Sequence, residues 1–466
     1  MAGLTIDLSA HEATGLANAN AATPAGQLPA DLVLQSERQG DSINVSGSWW
    51  EWDTVTGDWF GVRNILLDQG VDFFGGFTTE AWGNTTGGIG IGAVSTSLFD
   101  FGVEIDLEKL VGWEGATLYN SWFSPQGRDV SEFYTGNLFT VSNAAAFNSL
   151  YLFELWFQQT FLEETISIRL GQLAADEEFA GSDYGSLFIN ATFGWPPFLS
   201  ENIPNVGPAF PKGTLGIRLA LNPTDGLTFQ TAVYQGNPFS DDVNRHGFRW
   251  ELSSEQGFLW MNEAQVRWNV TKESTGLPGQ FKAGFWYQTA DFASADTDSA
   301  TTYQGNYGFY GVFDQLLYRE PGEVVEFSAI AGRGGKSIAN KPIAVVEKSD
   351  QGLGWFGRMG FGPQDRNFIG FYFDTGLTYK GLIPTRDQDT LGIGFAYGQL
   401  TRSAAQLLTD EGSHGVGAEM ALEVTYQCQL TPWLTIQPDL QFIISPGATR
   451  DFNNALVVGV RASVVF

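Results

Sequence analysis

The sequence lacks most of the residues on which metal and thiol chemistry depend. Among 466 residues there is a single cysteine, Cys428, and there are only three histidines, His11, His246 and His414. One cysteine excludes an intramolecular disulfide and a zinc site built on cysteines. Cys428 lies on the apolar side of an alternating segment, and no histidine has a partner at a metal-binding spacing such as HExxH. The sequence therefore predicts neither a metal nor another cofactor.

Positive charge and long apolar runs are also scarce. The chain has 24 lysines and arginines against 52 aspartates and glutamates, for a net charge of -28 at pH 7. Nucleic acid is excluded as a partner, because phosphate binding needs a basic surface. No stretch approaches the roughly 20 consecutive apolar residues of a membrane helix, which excludes a helical membrane protein. The 57 glycines and 14% aromatic residues fit a β-rich protein. A membrane β-barrel is still allowed, because its strands give only weak, alternating hydropathy signals.

The first part of the chain differs from the rest. Residues 1–45 are rich in Ala, Thr, Asn, Pro and Gly without a sustained period, which predicts a flexible leader. The start has no basic segment followed by an apolar one, so either a signal peptide has been removed or the protein is not exported. Residues 46–72 are expected to form a helical segment, in which Thr56 or Asp58 caps a short helix that stops at Gly70.

Residues 73–466 contain segments in which apolar and polar residues alternate, as on strands with two different faces. The closing segment has one wholly apolar face and an opposite face that carries Arg461. The apolar face holds Leu456, Val458, Val460, Ala462, Val464 and Phe466. The same pattern recurs in the stretches 165–170, 214–221, 420–430 and 434–444.

One-sided strands of this kind fit either a soluble β-sandwich with a wet outer face or a membrane barrel with a polar lumen. Strands of about 10 to 12 residues exceed the usual soluble length and match what a tilted strand needs to cross a bilayer. A lipid-facing arginine near mid-membrane would cost about 2 to 4 kcal/mol, so Arg461 is expected to face the lumen. The pattern therefore favours an all-β transmembrane antiparallel barrel.

Four long stretches resemble the carbohydrate-selective outer-membrane porins of the OprB type. They are TGDWFGVRNILLDQGV, GQLAADEEFAGSDYGSLFINATFGWPP, RNFIGFYFDTGLTYKGLIPTRDQDTLGIGFAYG and YQCQLTPWLTIQPDLQFIISPG, followed by the terminal VF. The resemblance extends over residues 56–466. It implies a barrel of 16 strands in a bacterial outer membrane that passes monosaccharides such as glucose into the periplasm by passive diffusion. It also implies a helix at the periplasmic side and an inward-folded loop that narrows the pore.

The resemblance implies partners as well. Outer-membrane lipid, neutral sugars and the barrel assembly machinery are expected, and Phe466 looks like the terminal residue by which that machinery recognises a barrel. Trimers are common among porins, but the sequence carries no interface signal, so a homo-oligomer is left open. Regular carboxylates could suggest acid–base cleavage of glycosidic bonds. They are also typical of a polar lumen and no pair is fixed by spacing, so no enzymatic activity is expected.

Residues 176–212 are too long and too rich in Pro, Gly and aromatic residues for a tight hairpin, so we assign them as the constriction loop. Sugars offer hydroxyls to carboxylates and guanidinium groups, and C–H faces to aromatic rings. For any single residue, packing or pairing within the wall is the competing interpretation. The candidate pore-lining residues are Asp176, Glu177, Glu178, Asp183, Tyr184, Trp195 and Lys212 on the loop, and Glu154, Trp156, Arg169, Arg218, Arg358, Glu423, Asp439 and Arg461 on the inner faces of strands.

Two other functions stay open at this point. A net charge of -28 would favour cations if the acidic groups line the pore, which would make the protein a general or cation-preferring ion porin. Because no signal peptide is visible, the third hypothesis is a secreted β-sandwich that binds or cleaves glycans.

Overall fold

The computed structural model describes residues 42–271, 274–294, 301–322, 324–327, 343–346, 349–410, 412–414 and 417–466. The strands are Val71–Gly88 (β1), Gly92–Asp106 (β2), Ala116–Gly127 (β3), Tyr151–Phe161 (β4), Ile166–Leu173 (β5), Thr214–Thr224 (β6), Leu227–Gln235 (β7), Phe258–Trp268 (β8), Gly279–Ala293 (β9), Thr302–Arg319 (β10), Val324–Phe327 (β11), Ile343–Val346 (β12), Gly352–Phe361 (β13), Ile369–Lys380 (β14), Thr390–Leu400 (β15), Ala418–Thr431 (β16), Leu434–Ile444 (β17) and Asn453–Val465 (β18). Apart from residues 42–45, the predicted leader lies outside the described residues.

The helices are short. The α-helices in the described ranges are Val62–Asp68 (α1), Leu107–Val111 (α2), Pro197–Ser200 (α3) and Arg402–Asp410 (α4). A π-helix spans Ser131–Thr135, and 3₁₀ turns span Trp49–Glu51, Gly185–Leu187, Ala191–Phe193, Pro204–Val206 and Pro446–Ala448. None of the helices in these ranges is long and apolar enough to span a membrane.

Sixteen of the strands close into one antiparallel barrel, in which β1 pairs with β2 on one side and with β18 on the other. Around the barrel the strands follow chain order, except that β10 pairs directly with β13. β11 and β12 form a separate antiparallel hairpin. The predicted antiparallel barrel of about 16 strands is confirmed, and its closure excludes the β-sandwich.

The alternation along β18 separates the two faces of the barrel wall. Val458 and Val460 lie on the outer face and are each 40% exposed, whereas Arg461 lies on the inner face and is 2% exposed. Because successive strand residues point to opposite faces, a register shift of one residue would place the arginine outside. The apolar outer face is therefore part of what specifies the register.

The two ends of the barrel differ in their connections. At the turn end, neighbouring strands are joined by short connections that include residues 162–165, 225–226 and 432–433. At the loop end, residues 128–150, 174–213 and 236–257 form much longer connections. We call residues 174–213, which include the predicted constriction loop, the inner loop.

The inner loop and residues 128–150 fold into the barrel and pack on its inner wall. Glycines on the inner face of β15 make room for them. A Cβ atom at Gly394 would lie 2.8 Å from the ring of Phe188, and one at Gly398 would lie 2.6 Å from the ring of Phe139. Both rings are almost fully buried. Part of the lumen is therefore filled by an apolar core instead of water.

The segment before β1 lies at the turn end, where β1 and β18 meet. The backbone N–H of Val55 donates to the carbonyl of Val465 at 2.9 Å, and the indole N–H of Trp433 donates to the carbonyl of Trp49 at 3.1 Å. The buried guanidinium of Arg63, on α1, donates to the carbonyl of Phe73. The N-terminal segment is thus hydrogen-bonded to the strands at which the barrel closes.

Deletion of Phe466 is expected to impair membrane insertion more than it changes conduction. The N–H of Phe466 donates to the carbonyl of Gly75 at 2.9 Å, and its ring meets Phe99 edge-on at 6.0 Å between centroids. The yield of folded barrel can be measured by the heat-dependent shift of its gel mobility, with Phe466→Tyr as the matched control. A normal yield of the deleted form would contradict this role.

Candidate functional site

Two arginines lie side by side on the inner wall at the turn-end half of the barrel. Arg169 of β5 and Arg218 of β6 are direct partners in the register of the two strands. Like charges opposite each other in a sheet are destabilising unless something lies between them. The Glu178 carboxylate, from the inner loop, accepts from Arg169 Nη1 at 2.8 Å and from Arg218 Nε at 2.5 Å.

Gln158 of β4 joins the same group. Its Oε1 accepts from Arg169 Nε at 3.1 Å and from Arg218 Nη2 at 3.0 Å. We call Gln158, Arg169, Glu178 and Arg218 the constriction cluster. The cluster ties the inner loop to the wall through charge-assisted hydrogen bonds, which are the stronger kind.

A column of three stacked aromatic rings supports Arg169. The guanidinium carbon of Arg169 lies 3.8 Å from the centroid of the Trp156 ring. Trp156 stacks on Tyr119 at 4.7 Å and 13°, and Tyr119 stacks on Phe74 at 5.4 Å and 15°. The Phe74 ring crosses β2 over Gly102, where a Cβ atom would lie 2.4 Å from it. This aromatic column, Phe74, Tyr119 and Trp156, holds the guanidinium plane in one orientation.

The constriction cluster is partly open to the lumen. The side chains of Arg169, Glu178 and Arg218 are 18%, 13% and 7% exposed. Arg169 Nε and Nη1 have hydrogen-bond acceptors, whereas Nη2 has none among the described residues. Guanidinium donors and carboxylate acceptors next to aromatic ring edges suit a ligand that has many hydroxyls.

Two other acidic side chains, Glu154 of β4 and Asp176 of the inner loop, accept hydrogen bonds from loop backbone near the two ends of that loop. Glu154 accepts from the backbone N–H of Ala174 at 3.1 Å, and Asp176 accepts from that of Phe210 at 2.9 Å. Burial raises the pKa of Asp176, a loop residue, to about 8, although the Phe210 N–H acts in the opposite direction. Glu177 is half-buried and lies within electrostatic range of Asp176, Glu154 and the constriction cluster. Asp176 therefore serves the fold of the loop.

Three of the predicted wall residues lie beneath the loops and do not line the open lumen. Arg358 pairs with Asp374 at 2.5 Å, with side chains 1% and 0% exposed, and donates to the carbonyls of Ala180, Thr192 and Gly194. The Glu423 carboxylate accepts from the N–H groups of Ile189 and Asn190 at 2.7 and 3.0 Å. Arg461 pairs with Glu80 at 2.5 Å and donates to Asn143. Each one anchors loop backbone or a loop side chain to the wall.

The other candidates are dispersed. Trp195 is buried and donates from its indole to the Val206 carbonyl at 2.9 Å. Lys212 is buried and pairs with Asp241 at 2.8 Å. Asp183 is exposed, Tyr184 is half-buried and Asp439 is buried near Gln441. The structure therefore brings together Trp156, Arg169, Glu178 and Arg218, with Glu154 and Glu177 close by along the chain.

Three members of this site were not predicted. Gln158 follows Glu154 and Trp156 on the same inner face of β4, so extending the alternation by two residues would have found it. Phe74 and Tyr119 look like ordinary strand aromatics in the sequence. Their stacking depends on the barrel, because it joins β1 to β3 across the glycine of β2.

Replacement of Trp156 by alanine is expected to lower several-fold the preference for sugar that the resemblance implies. It removes the ring on which the Arg169 guanidinium rests, and such contacts are worth about 0.5 to 2 kcal/mol. Glucose-driven liposome swelling measures the effect. Trp260→Ala, which removes a half-exposed indole from the outer face of β8, is the matched control. Equal loss in both variants would contradict a role in positioning Arg169.

A closed barrel of sixteen strands, with a polar passage narrowed by an inward-folded loop, defines a porin. The chain belongs to the OprB family of carbohydrate-selective porins, because the family model described as "Carbohydrate-selective porin, OprB family" matches residues 92–466. The resemblance inferred from the sequence is confirmed, and so is its function as a carbohydrate porin.

Known proteins agree with this assignment. Porin B of Pseudomonas aeruginosa is 24% identical over 440 residues, which cover 88% of this chain and 91% of that protein. The putative porin QuiX of Acinetobacter baylyi is 22% identical over 466 residues, which cover 92% and 97%. The high-pH structure of Pseudomonas putida OprB has 24% sequence identity and a TM-score of 0.74, and the match covers 89% of this chain and 99% of that one. The last similarity supports the barrel fold.

Proposed function

We propose that the protein lies in the outer membrane of a bacterium and passes monosaccharides such as glucose into the periplasm by passive diffusion. The observation that carries the proposal is the constriction cluster, in which one carboxylate and one amide oxygen are shared by two arginines beside the Trp156 ring. Such groups exchange hydrogen bonds with sugar hydroxyls, and the ring suits a sugar C–H face. No catalytic step is part of the proposal.

The orientation follows from the connections. In outer-membrane barrels the short turns face the periplasm and the long loops face outward. We therefore place the turn end, with α1 and the C-terminus, in the periplasm, and the inner loop enters from outside. Outer-membrane lipid covers the apolar outer face, and the barrel assembly machinery inserts the chain.

Two measurements on the purified protein in lipid test the function. Swelling of proteoliposomes in glucose is expected to be fast, and swelling in disaccharides slow. Reversal potentials in planar bilayers measure ion preference. Strong cation flux with no difference between sugars would overturn the proposal and favour a cation-preferring porin, which the charge of -28 would otherwise suggest.

A further inference from the structure

A polar cavity lies on the turn-end side of the constriction cluster. It has a volume of about 510 Å³, and β2 to β8 and the turns between them line it. Two members of the constriction cluster, Gln158 and Arg218, form part of its lining, whereas no residue of the inner loop does. A molecule that leaves the constriction therefore enters this cavity directly. Its volume falls within the range of about 300 to 1,000 Å³ that is usual for small-molecule sites.

Amide and hydroxyl side chains of the strands dominate the inner part of the cavity. Ser167 and Gln265 are examples from β5 and β8. Asn222 and Thr228 extend the polar lining to the turns, where Asn222 meets the Glu164 carbonyl. The rim at the turns carries charges of both signs, such as Glu164 and Arg267. The buried charge of Arg218 is already matched by Glu178, so the neutral donors and acceptors that remain suit a neutral polyhydroxylated ligand.

Hydrogen bonds hold these side chains in place. Thr228 Oγ1 donates to Asn222 Oδ1 at 2.9 Å, and Asn222 Nδ2 donates to the Glu164 carbonyl at 3.2 Å. Gln265 donates to Glu263 at 2.8 Å and accepts from Arg267 Nη2 at 3.0 Å. An amide has two donor hydrogens and an acceptor oxygen with two lone pairs, so each keeps capacity for a ligand. The cavity is thus ordered before a ligand arrives.

We propose that this cavity is a second carbohydrate-binding site, which receives a single neutral sugar after it has passed the constriction. The inference rests on the proposed function, since it assumes that sugar crosses the constriction cluster. None of the described residues that line the cavity is aromatic. It therefore binds hydroxyls by hydrogen bonds alone, without the stacking that Trp156 offers. Two weak sites in series allow fast release, because a channel conducts best when binding is shared over several positions.

The test uses the full chain in proteoliposomes and radiolabelled glucose. The double variant Asn222→Ala, Thr228→Val removes two cavity groups outside the constriction cluster. The glucose concentration that gives half-maximal flux is expected to rise about threefold or more, the factor that one lost hydrogen bond produces. Ion conductance and the discrimination against disaccharides are expected to stay as in the parent. Thr231→Val, on the outer face of the same β7 strand, is the matched control.

The outcomes separate the two proposals. If the parent protein shows no glucose flux, the proposed function fails. If the parent conducts glucose and the folded double variant has the parent's half-maximal concentration, the second site is overturned. If the double variant yields no folded barrel, the single Thr228→Val variant, which keeps the shape of the side chain, provides the same measurement.

Discussion

Replacement of Arg358 by methionine is expected to release the inner loop and admit disaccharides. Arg358 pairs with Asp374 in a solvent-inaccessible part of the barrel and donates to three loop carbonyls. Removing one partner of a buried pair leaves the other charge uncompensated and costs about 3 to 5 kcal/mol. The ratio of disaccharide to monosaccharide swelling rates measures the release, and it should rise several-fold.

Two further variants distinguish loss of the loop contacts from a general loss of stability. The double variant Arg358→Met, Asp374→Leu removes both charges, so it should restore stability in part while leaving the loop carbonyls without their donor. Arg366→Met removes an arginine from a pair that is partly exposed, and it serves as the control. A folded Arg358→Met protein that still excludes disaccharides would show that the inner loop does not set the width of the passage.

The second large effect is expected from Glu178→Gln. The carboxylate accepts from both arginines of the constriction cluster, whereas an amide has a single acceptor oxygen and turns its NH₂ group toward one guanidinium. The two neighbouring positive charges would then lose the carboxylate that lies between them. Preference for glucose should fall about fivefold, equivalent to about 1 kcal/mol, and the reversal potential should shift toward anions.

Asp183→Asn is the control for that experiment. Asp183 lies on the same inner loop and loses the same charge, but it is exposed and is no member of the constriction cluster. An equal shift in both variants would mean that the overall charge of the loop, and no specific contact, determines selectivity.

Sequence reasoning predicted the barrel well because alternation is a local signal. Val460 and Arg461 illustrate this signal. They are neighbours on one strand, so their side chains point to opposite faces of the sheet whatever the rest of the fold is. The same reasoning placed Arg169 and Arg218 on the inner face and Glu178 on a long loop. It could not show that the three side chains meet, because their contact depends on how far the loop folds into the barrel.

The same limit explains why the sequence did not show that Arg358, Glu423 and Arg461 lie beneath the loops. A polar residue on the inner face of a barrel strand can meet water or can meet a loop, and the alternation is identical in both cases. Gly394 and Gly398 are the sequence signal that a loop packs on this part of the wall, since inner-face positions without a side chain leave room for a ring. Their partners, Phe188 and Phe139, are far away in the chain, so the pairing could not be predicted from either segment alone.

The apolar core inside the barrel has a thermodynamic consequence. Phe139, Phe188, Phe193, Trp195 and Phe198 pack there as side chains pack in a water-soluble protein. Melting of the loops within an intact barrel would expose these rings to the water of the lumen, and exposure of apolar surface raises the heat capacity. Calorimetry of the protein in detergent should therefore show a transition with a positive heat-capacity step below the temperature at which the strands separate.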